Sequence, residues 1–464
     1  LNRDFTQAMS GTPGQRTRDM EAFLELHGSE PVARDLRRDW LRETANTKRW
    51  QKYLDLFDPE VDRGTLWNCH QLAARAALGR ADDLADDIIE TWMSPKSLPE
   101  ACDPAFNWLR SKGQLTPQLV EQRARLALEN GEAGLARYLA RSLPSDRAAA
   151  IVQWADLLQQ PKKNIDALIA SPGRPGENEA LLAGWSRLAR RDPDAAADRF
   201  AELVTARRLD ADTAGRYALA VGLAASWSRK PYALDYFGRA SVEDFDDIAH
   251  EWHVRAALWA GDWRRAKSAI EAMPPGLRED SSWRYWAARA NEQLGDNDAA
   301  REGYAAVMPT DNWYAVWSAA RLGRPFAPDL QPMSIHEKEV ARVAGQPGML
   351  RARELSALLM TSSAKAEWRW TYDRLSPDEQ LQAIGLASDW GWHLQAVAAA
   401  AKKGLFNDYP LLYPRPYDRA VRDASKFTGL SPELIYAVIR QESLYQADAG
   451  SRAGARGLMQ LMPA

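Results

Sequence analysis

Trp252, Ala256, Gly261, Asp262 and Ala266 recur as Trp286, Ala290, Gly295, Asp296 and Ala300, each displaced by 34 residues. A period of about 34 residues is that of a stacked helix–turn–helix unit. The residue types explain why it stacks. A large aromatic on the first helix fills the groove, alanine lets the pair approach closely, and glycine ends the helix in a left-handed cap. Gly131 and Ala136 repeat the same turn-to-alanine offset earlier in the chain. Such units bury their faces against neighbours in a row, so the chain grows as a curved stack and not around one compact core.

Elsewhere the period drifts, but the pattern stays helical. Ala/Leu/Arg/Glu-rich stretches carry apolar residues at i, i+3, i+4 and i+7, and no period-2 strand stands out. Short turns at Leu78-Gly79, Asn130-Gly131, Gly261-Asp262 and Gly295-Asp296 separate them. The expected fold is all-α, an irregular αα-superhelix of tetratricopeptide-like helical pairs. Proline clusters break the pattern at Arg324–Pro332 and again at Asn407–Tyr417. They divide the chain into a superhelical domain (1–333), a helical linker domain (334–413) and a final piece (414–464). At 45% hydrophobic and 27% charged residues, the 464-residue chain has the make-up of a folded domain and not of a disordered one. A net charge of −3 gives no overall cationic field for nucleic acid, and no apolar run reaches the roughly 18 residues of a membrane span.

Trp185, Trp252, Trp263, Trp286, Trp313 and Trp317 belong to a set of 19 tryptophans and fall inside the helical patterns. There they are expected to fill gaps between helix pairs, with sugar stacking as the alternative role. His250 and His253 share a helix face but lack a third ligand, so a packed or exposed pair is expected before a metal site. Two cysteines exclude a disulfide-dense scaffold and an all-cysteine zinc site. Cys69 and Cys102 read equally as buried free thiols or as one disulfide; a metal site with His70 lacks a fourth ligand nearby.

The last piece carries the chemistry. Ser431-Pro432-Glu433 starts a helix, with serine as N-cap, proline at the first helical position and an acid in the first turn. Ile435, Val438 and Ile439 form its apolar face, and Glu442 continues that face. A carboxyl there is expected to be partly desolvated, which favours its protonated form and suits it to protonate a glycosidic oxygen. The opposing reading is that Glu442 ends the helix and reaches water. A small-residue loop, Ala449 to Gly457, follows; it lacks the Lys-Ser/Thr and the preceding strand of a phosphate cradle.

Gln441-Glu442-Ser443, Ser451, and the run Gly454-Ala455-Arg456-Gly457-Leu458-Met459-Gln460-Leu461-Met462-Pro463 resemble the signature of soluble lytic transglycosylases. Cys102-Asp103 followed by Trp108, and the Trp283-Arg284-Tyr285-Trp286 cluster, are similar to the large superhelical members of that family. The resemblance implies a peptidoglycan enzyme that cleaves the MurNAc-β-1,4-GlcNAc bond without hydrolysis, leaving 1,6-anhydromuramoyl ends. Glu442 would match its sole general acid/base. The nearest following acid, Asp448, is not placed beside it by a continuous helix. Ser451 and Gln460 would match polar groups that orient the glutamate and the sugar acetamido group, Met459 and Met462 the cleft wall, and Ser443 a supporting residue. The resemblance implies no cofactor and no metal, a periplasmic location, and glycan strands held by the superhelix. Outside the cytoplasm, Cys69 and Cys102 are expected as a disulfide.

The family's catalytic domain continues past this motif through an Ala-Tyr-Asn segment and a later tyrosine, whereas this sequence stops at Ala464. The expectation is that the chain as written is inactive. An alternative reading is a non-catalytic superhelical scaffold that binds glycan strands or cell-wall synthesis proteins. A cytosolic helical-repeat adaptor would require the terminal motif to be coincidence.

Overall fold

A computed structural model describes residues 13–28, 30–59, 61–173 and 177–463. Its regular elements are all α- or 3-10 helices; among the described residues the only extended pairing is two isolated bridges, Gly450 with Arg456 and Arg456 with Leu461. The expected all-α class therefore holds. No helix among the described residues is long and apolar enough to cross a membrane.

The helix ends are written in the sequence. Pro117, Pro161, Pro193, Pro347, Pro377 and Pro432 each sit in the first turn of a helix, where a missing N–H costs nothing. Asp192, Asp210, Asp246 and Asp262 cap helices by accepting from a backbone N–H three residues on. Gly131, Gly261 and Gly295 all adopt left-handed φ, of 81°, 67° and 88°. After each, the next residue's N–H reaches back five residues, as Asp262 to the Ala257 carbonyl at 3.0 Å and Asp296 to that of Asn291 at 2.9 Å. This is the glycine-terminated cap that the 34-residue repeat called for. Ala256, Ala266, Ala290 and Ala300, the repeated alanines, are buried.

Two compact units, residues 1–300 and 301–464, make up the chain. In the first, successive helices pack on one another, and alternate helices also stack. Ser145–Gln159, Asn178–Arg191, Ala211–Trp227 and Asp247–Trp259 form one such row. A continuous apolar core runs from Cys69 to Tyr236, as expected of a stack that buries each pair against the next. The Cys69 and Cys102 sulfurs are bonded to each other, with Cα atoms 4.5 Å apart, and both residues are buried. The bond fastens helix Thr65–Ala77 to the start of helix Asp103–Ser111.

The second unit has its own core, drawn from Val343, Met349, Trp368, Leu412, Val421, Ile435, Ile439 and Tyr445 among others. It is continuous across residue 413. The two proline-rich breaks meet within this unit. The Gln331 N–H donates to the Asn407 carbonyl at 3.0 Å, and the Met333 N–H donates to the buried Asp408 carboxylate at 2.9 Å.

The tryptophans divide. Trp185 is fully buried and its Nε1 donates to the Tyr217 carbonyl at 2.9 Å, while Trp252, Trp263 and Trp286 are half-buried. Trp313 and Trp317 are exposed, which corrects their assignment to packing. The helix Trp313–Leu322 buries Ala315, Ser318 and Ala319, so both indoles lie on its opposite face, with ring centroids 5.7 Å apart. His250 is buried, and His253 is stacked on Phe237 with ring centroids 4.8 Å apart.

Candidate active site

Helix Pro432–Ser443 starts as the sequence predicts, with the Ser431 hydroxyl accepting from the Leu434 N–H at 3.3 Å. Its buried positions are Ile435, Ile439 and Ser443, a stripe at i, i+4 and i+8. Three bonds fix its rear. Arg440 Nε donates to the Leu412 carbonyl at 3.1 Å, and the Tyr436 hydroxyl donates to the Pro416 carbonyl at 2.8 Å. Past its end, Lys365 Nζ donates to Gln446 Oε1 at 2.7 Å. None of these contacts follows from the local pattern, although the aromatic-rich Tyr413-Pro414-Arg415-Pro416-Tyr417 segment supplies the Pro416 carbonyl and a ring, Tyr413, 4.6 Å from the Arg440 guanidinium.

Glu442 occupies the last turn and is exposed; among the described residues no hydrogen bond or ion pair holds its carboxyl. The expected desolvation is thus absent from the structure, and the opposing reading, that Glu442 ends the helix and reaches water, describes it. On a helical wheel Glu442 lies close to Ile435, but in the last turn the buried position has passed to Ser443. Ser443 Oγ donates to the Ile439 carbonyl at 3.0 Å, inside its own helix. The helix then stops abruptly. Leu444 and Tyr445 both take left-handed φ, 45° and 67°, and Tyr445 is buried while its carbonyl accepts from the Tyr417 hydroxyl at 3.2 Å. Asp448, beyond that turn, is exposed.

The loop that follows is tied to itself by backbone and side-chain bonds. Ser451 holds both ends of a short turn: its N–H donates to the Ala455 carbonyl at 2.9 Å, and its Oγ accepts from the Ala455 N–H at 3.0 Å. Arg456 and Leu461 exchange backbone bonds at 3.0 and 3.1 Å. Gln460 plugs the middle. Its Nε2 donates to the carbonyls of Gly457 at 2.9 Å and Ala449 at 3.1 Å, and its backbone is left-handed at φ 47°. Gly454 and Gly457 also have positive φ, 95° and 77°, which explains glycine at both places. Met459 packs against the core of the unit, whereas Met462 is 61% exposed with its Cε lying toward Gly454. Ser451, Met459, Gln460 and Met462 are therefore brought together on one rigid loop. Ser451 and Gln460 use much of their hydrogen-bonding capacity to hold that loop. Chemically, the pair of elements presents the exposed Glu442 carboxyl at the end of a capped, anchored helix and an ordered loop with an apolar methionine rim. Among the described residues no group of three or more His, Cys, Asp or Glu side chains could hold a metal ion.

Comparison with known proteins places this geometry. Residues 342–408 match the soluble lytic murein transglycosylase L domain, and residues 419–464 match the transglycosylase SLT domain. The soluble lytic murein transglycosylase of Salmonella typhimurium is 26% identical over 445 residues, which is 95% of this chain and 68% of that protein. Its Escherichia coli K12 counterpart is 25% identical over 443 residues, with the same coverage. Among solved structures, an inactive mutant of a lytic transglycosylase from Pseudomonas aeruginosa superposes with a TM-score of 0.81 at 26% identity, covering 99% of this chain and 74% of that one. The 70-kDa soluble lytic transglycosylase of Escherichia coli has a TM-score of 0.83 at 24% identity over the same shares, a likeness of fold. The likeness to soluble lytic murein transglycosylases that the terminal motif carries therefore extends along nearly the whole chain.

Proposed function

We propose that this protein is a periplasmic enzyme that cleaves the MurNAc-β-1,4-GlcNAc bond of peptidoglycan without hydrolysis, with Glu442 as its sole general acid/base. The observation that carries the reading is the helix–loop unit itself. An accessible Glu442 ends an anchored helix, and the tied loop bearing Ser451, Met459, Gln460 and Met462 follows, all within the stretch matching the transglycosylase domain.

In the first step the Glu442 carboxyl gives its proton to the glycosidic oxygen, and the C1–O bond breaks toward an oxocarbenium-like centre. A glycan lying over the exposed carboxyl removes it from water, which favours its neutral, proton-bearing form. The sugar's own acetamido oxygen stabilises the cationic carbon, so no second carboxylate is required, as in substrate-assisted glycosidases. In the second step the resulting carboxylate takes the proton of the C6 hydroxyl, whose oxygen closes on C1. The proton balance returns Glu442 to its starting state, and the product is a 1,6-anhydro sugar. Met459 and Met462 form the apolar wall, and Ser451 and Gln460 keep the loop in the shape that receives the acetamido group. In this reading residues 1–333 are a superhelical domain that holds glycan strands, residues 334–413 a linker domain, and residues 414–464 carry the catalytic acid.

The test is a peptidoglycan digest by the full-length protein and its Glu442→Gln variant, analysed by mass spectrometry. Products one water lighter than reducing muropeptides, lost in the variant, are expected. Reducing products would overturn the non-hydrolytic mechanism. Glycan binding without any cleavage by folded full-length protein would favour a scaffold.

A further inference from the structure

A cavity of about 780 Å³ lies in the first unit, walled by helices Leu84–Trp92, Asp103–Ser111, Pro117–Glu129 and Ala133–Ala140. Arg123 lines it while being only 4% exposed. Its Nε donates to the Ser94 carbonyl and its Nη2 to the Lys96 carbonyl, both at 3.2 Å, and its guanidinium lies 4.3 Å above the Trp92 ring centre. No carboxylate pairs with it among the described residues. Burial of the uncompensated cation pushes it down to about 10. A guanidinium carries five N–H donors in a planar fork, and the bonds to Ser94 and Lys96 leave Nη1 unused. Trp92 lines the same cavity, and its Nε1 is buried with no hydrogen-bond partner among the described residues. Arg123 therefore brings one guanidinium nitrogen without a protein acceptor to the lining of the void.

The charge of the lining points the same way. Arg110 and Arg141 are exposed at the cavity, and Asp103 is its single acidic residue. Leu115, Val120 and Leu139 supply an apolar wall. The volume exceeds what a bare anion needs. We propose that this cavity binds a peptide ending in a carboxylate, with the carboxylate on Arg123 and the adjoining residues against the apolar wall. The assignment to a peptide rests on the peptidoglycan reading above, because peptidoglycan stems carry free carboxylates. A purely structural Arg123, pinning residues 94–96 to helix Pro117–Glu129, would account for its two carbonyl bonds. It would not account for the two exposed arginines that line the same cavity or for the unused Arg123 Nη1.

The probe is acetylated lysyl-D-alanyl-D-alanine, titrated calorimetrically into the full-length protein beside its C-terminal amide and inorganic phosphate. The acid is expected to bind, and the amide about tenfold or more weaker, the size of one charge-assisted hydrogen bond. Arg110→Ala/Arg141→Ala changes only exposed side chains, so it keeps the fold; it is expected to weaken the acid by a similar factor. Arg123→Gln should abolish binding. Equal affinity for acid and amide, tighter binding of phosphate than of the peptide, no binding at all, or undiminished affinity in the Arg110→Ala/Arg141→Ala variant would each overturn the proposal. The probe contains no sugar, so its result is independent of the Glu442 digest.

Discussion

Removing the Cys69–Cys102 bond should unfasten one place in the stack and leave the rest intact. The bond closes a loop with a sequence separation of 33. By the chain-entropy relation a loop of that length is worth about 3.7 kcal/mol at 25 °C. Both cysteines are buried in the core that contains Leu72, Ile88 and Phe106, so a Cys69→Ala/Cys102→Ala variant also loses packed sulfur atoms, which adds to the cost. In a stack held by nearest-neighbour contacts this loss is felt locally. Hydrogen exchange read by mass spectrometry on helices Thr65–Ala77 and Asp103–Ser111 should accelerate by about 500-fold in the variant, at about 1.4 kcal/mol per factor of ten. Helices Asp247–Trp259 and Trp263–Glu271 should exchange at the native rate. Acceleration below about tenfold, or an equal effect in both regions, would refute the argument. Alkylation that finds two free thiols in freshly isolated protein would refute the bond itself.

Two further perturbations test packing and burial. A Cβ added at Gly348 would lie 2.0 Å from Thr371 Oγ1 and 3.1 Å from Thr371 Cβ, between helices Pro347–Ala357 and Thr361–Tyr372. Gly348→Ala should therefore destabilise the second unit by about 1–3 kcal/mol in urea unfolding, although alanine is the better helix former; stabilisation would show that the helices part freely. Adding Thr371→Ala should recover part of the loss. Burial, with His250 and Arg265 nearby, pushes the His253 imidazole from 6.5 down to about 4. Its neutral form is the one the fold favours, so this contribution is complete above about pH 6.5, fades as pH falls toward 4 and is gone below that. His253→Phe keeps a ring against Phe237 and should flatten the stability of helix Asp247–Trp259 across that window; an unchanged pH profile would assign the effect to other groups.

Much of the fold could be read locally because its determinants are local. The glycines at 131, 261 and 295 need only a left-handed residue after a helix, and the alanines of the 34-residue repeat need only a close helix beside them. The proline-rich breaks were visible as interruptions, but their meeting was not. Asp408 bonds the Met333 backbone across 75 positions, and nothing in either segment names the other. The same limit explains Trp313 and Trp317. Their spacing fits a helix, but which face is covered depends on elements elsewhere, and the covered face is that of Ala315 and Ala319.

Glu442 shows how far periodicity can carry a site. Around the helix axis Glu442 does fall near Ile435. Depth along the axis is a separate variable. Burial persists only while a neighbour continues alongside, and by the last turn only Ser443 is covered, followed by the left-handed pair Leu444 and Tyr445. Tyr445, which no periodic pattern marks, is the residue that closes the core there, and its raised hydroxyl follows from that burial. The polar loop residues show the converse. Gln460 and Ser451 are expected to touch substrate; in the structure Gln460 Nε2 donates to two carbonyls and the Ser451 hydroxyl accepts from a backbone N–H. A residue so engaged shapes the loop. Substitution of Gln460 should accordingly be felt first as lost order between Ala449 and Leu461, and only through that as lost chemistry.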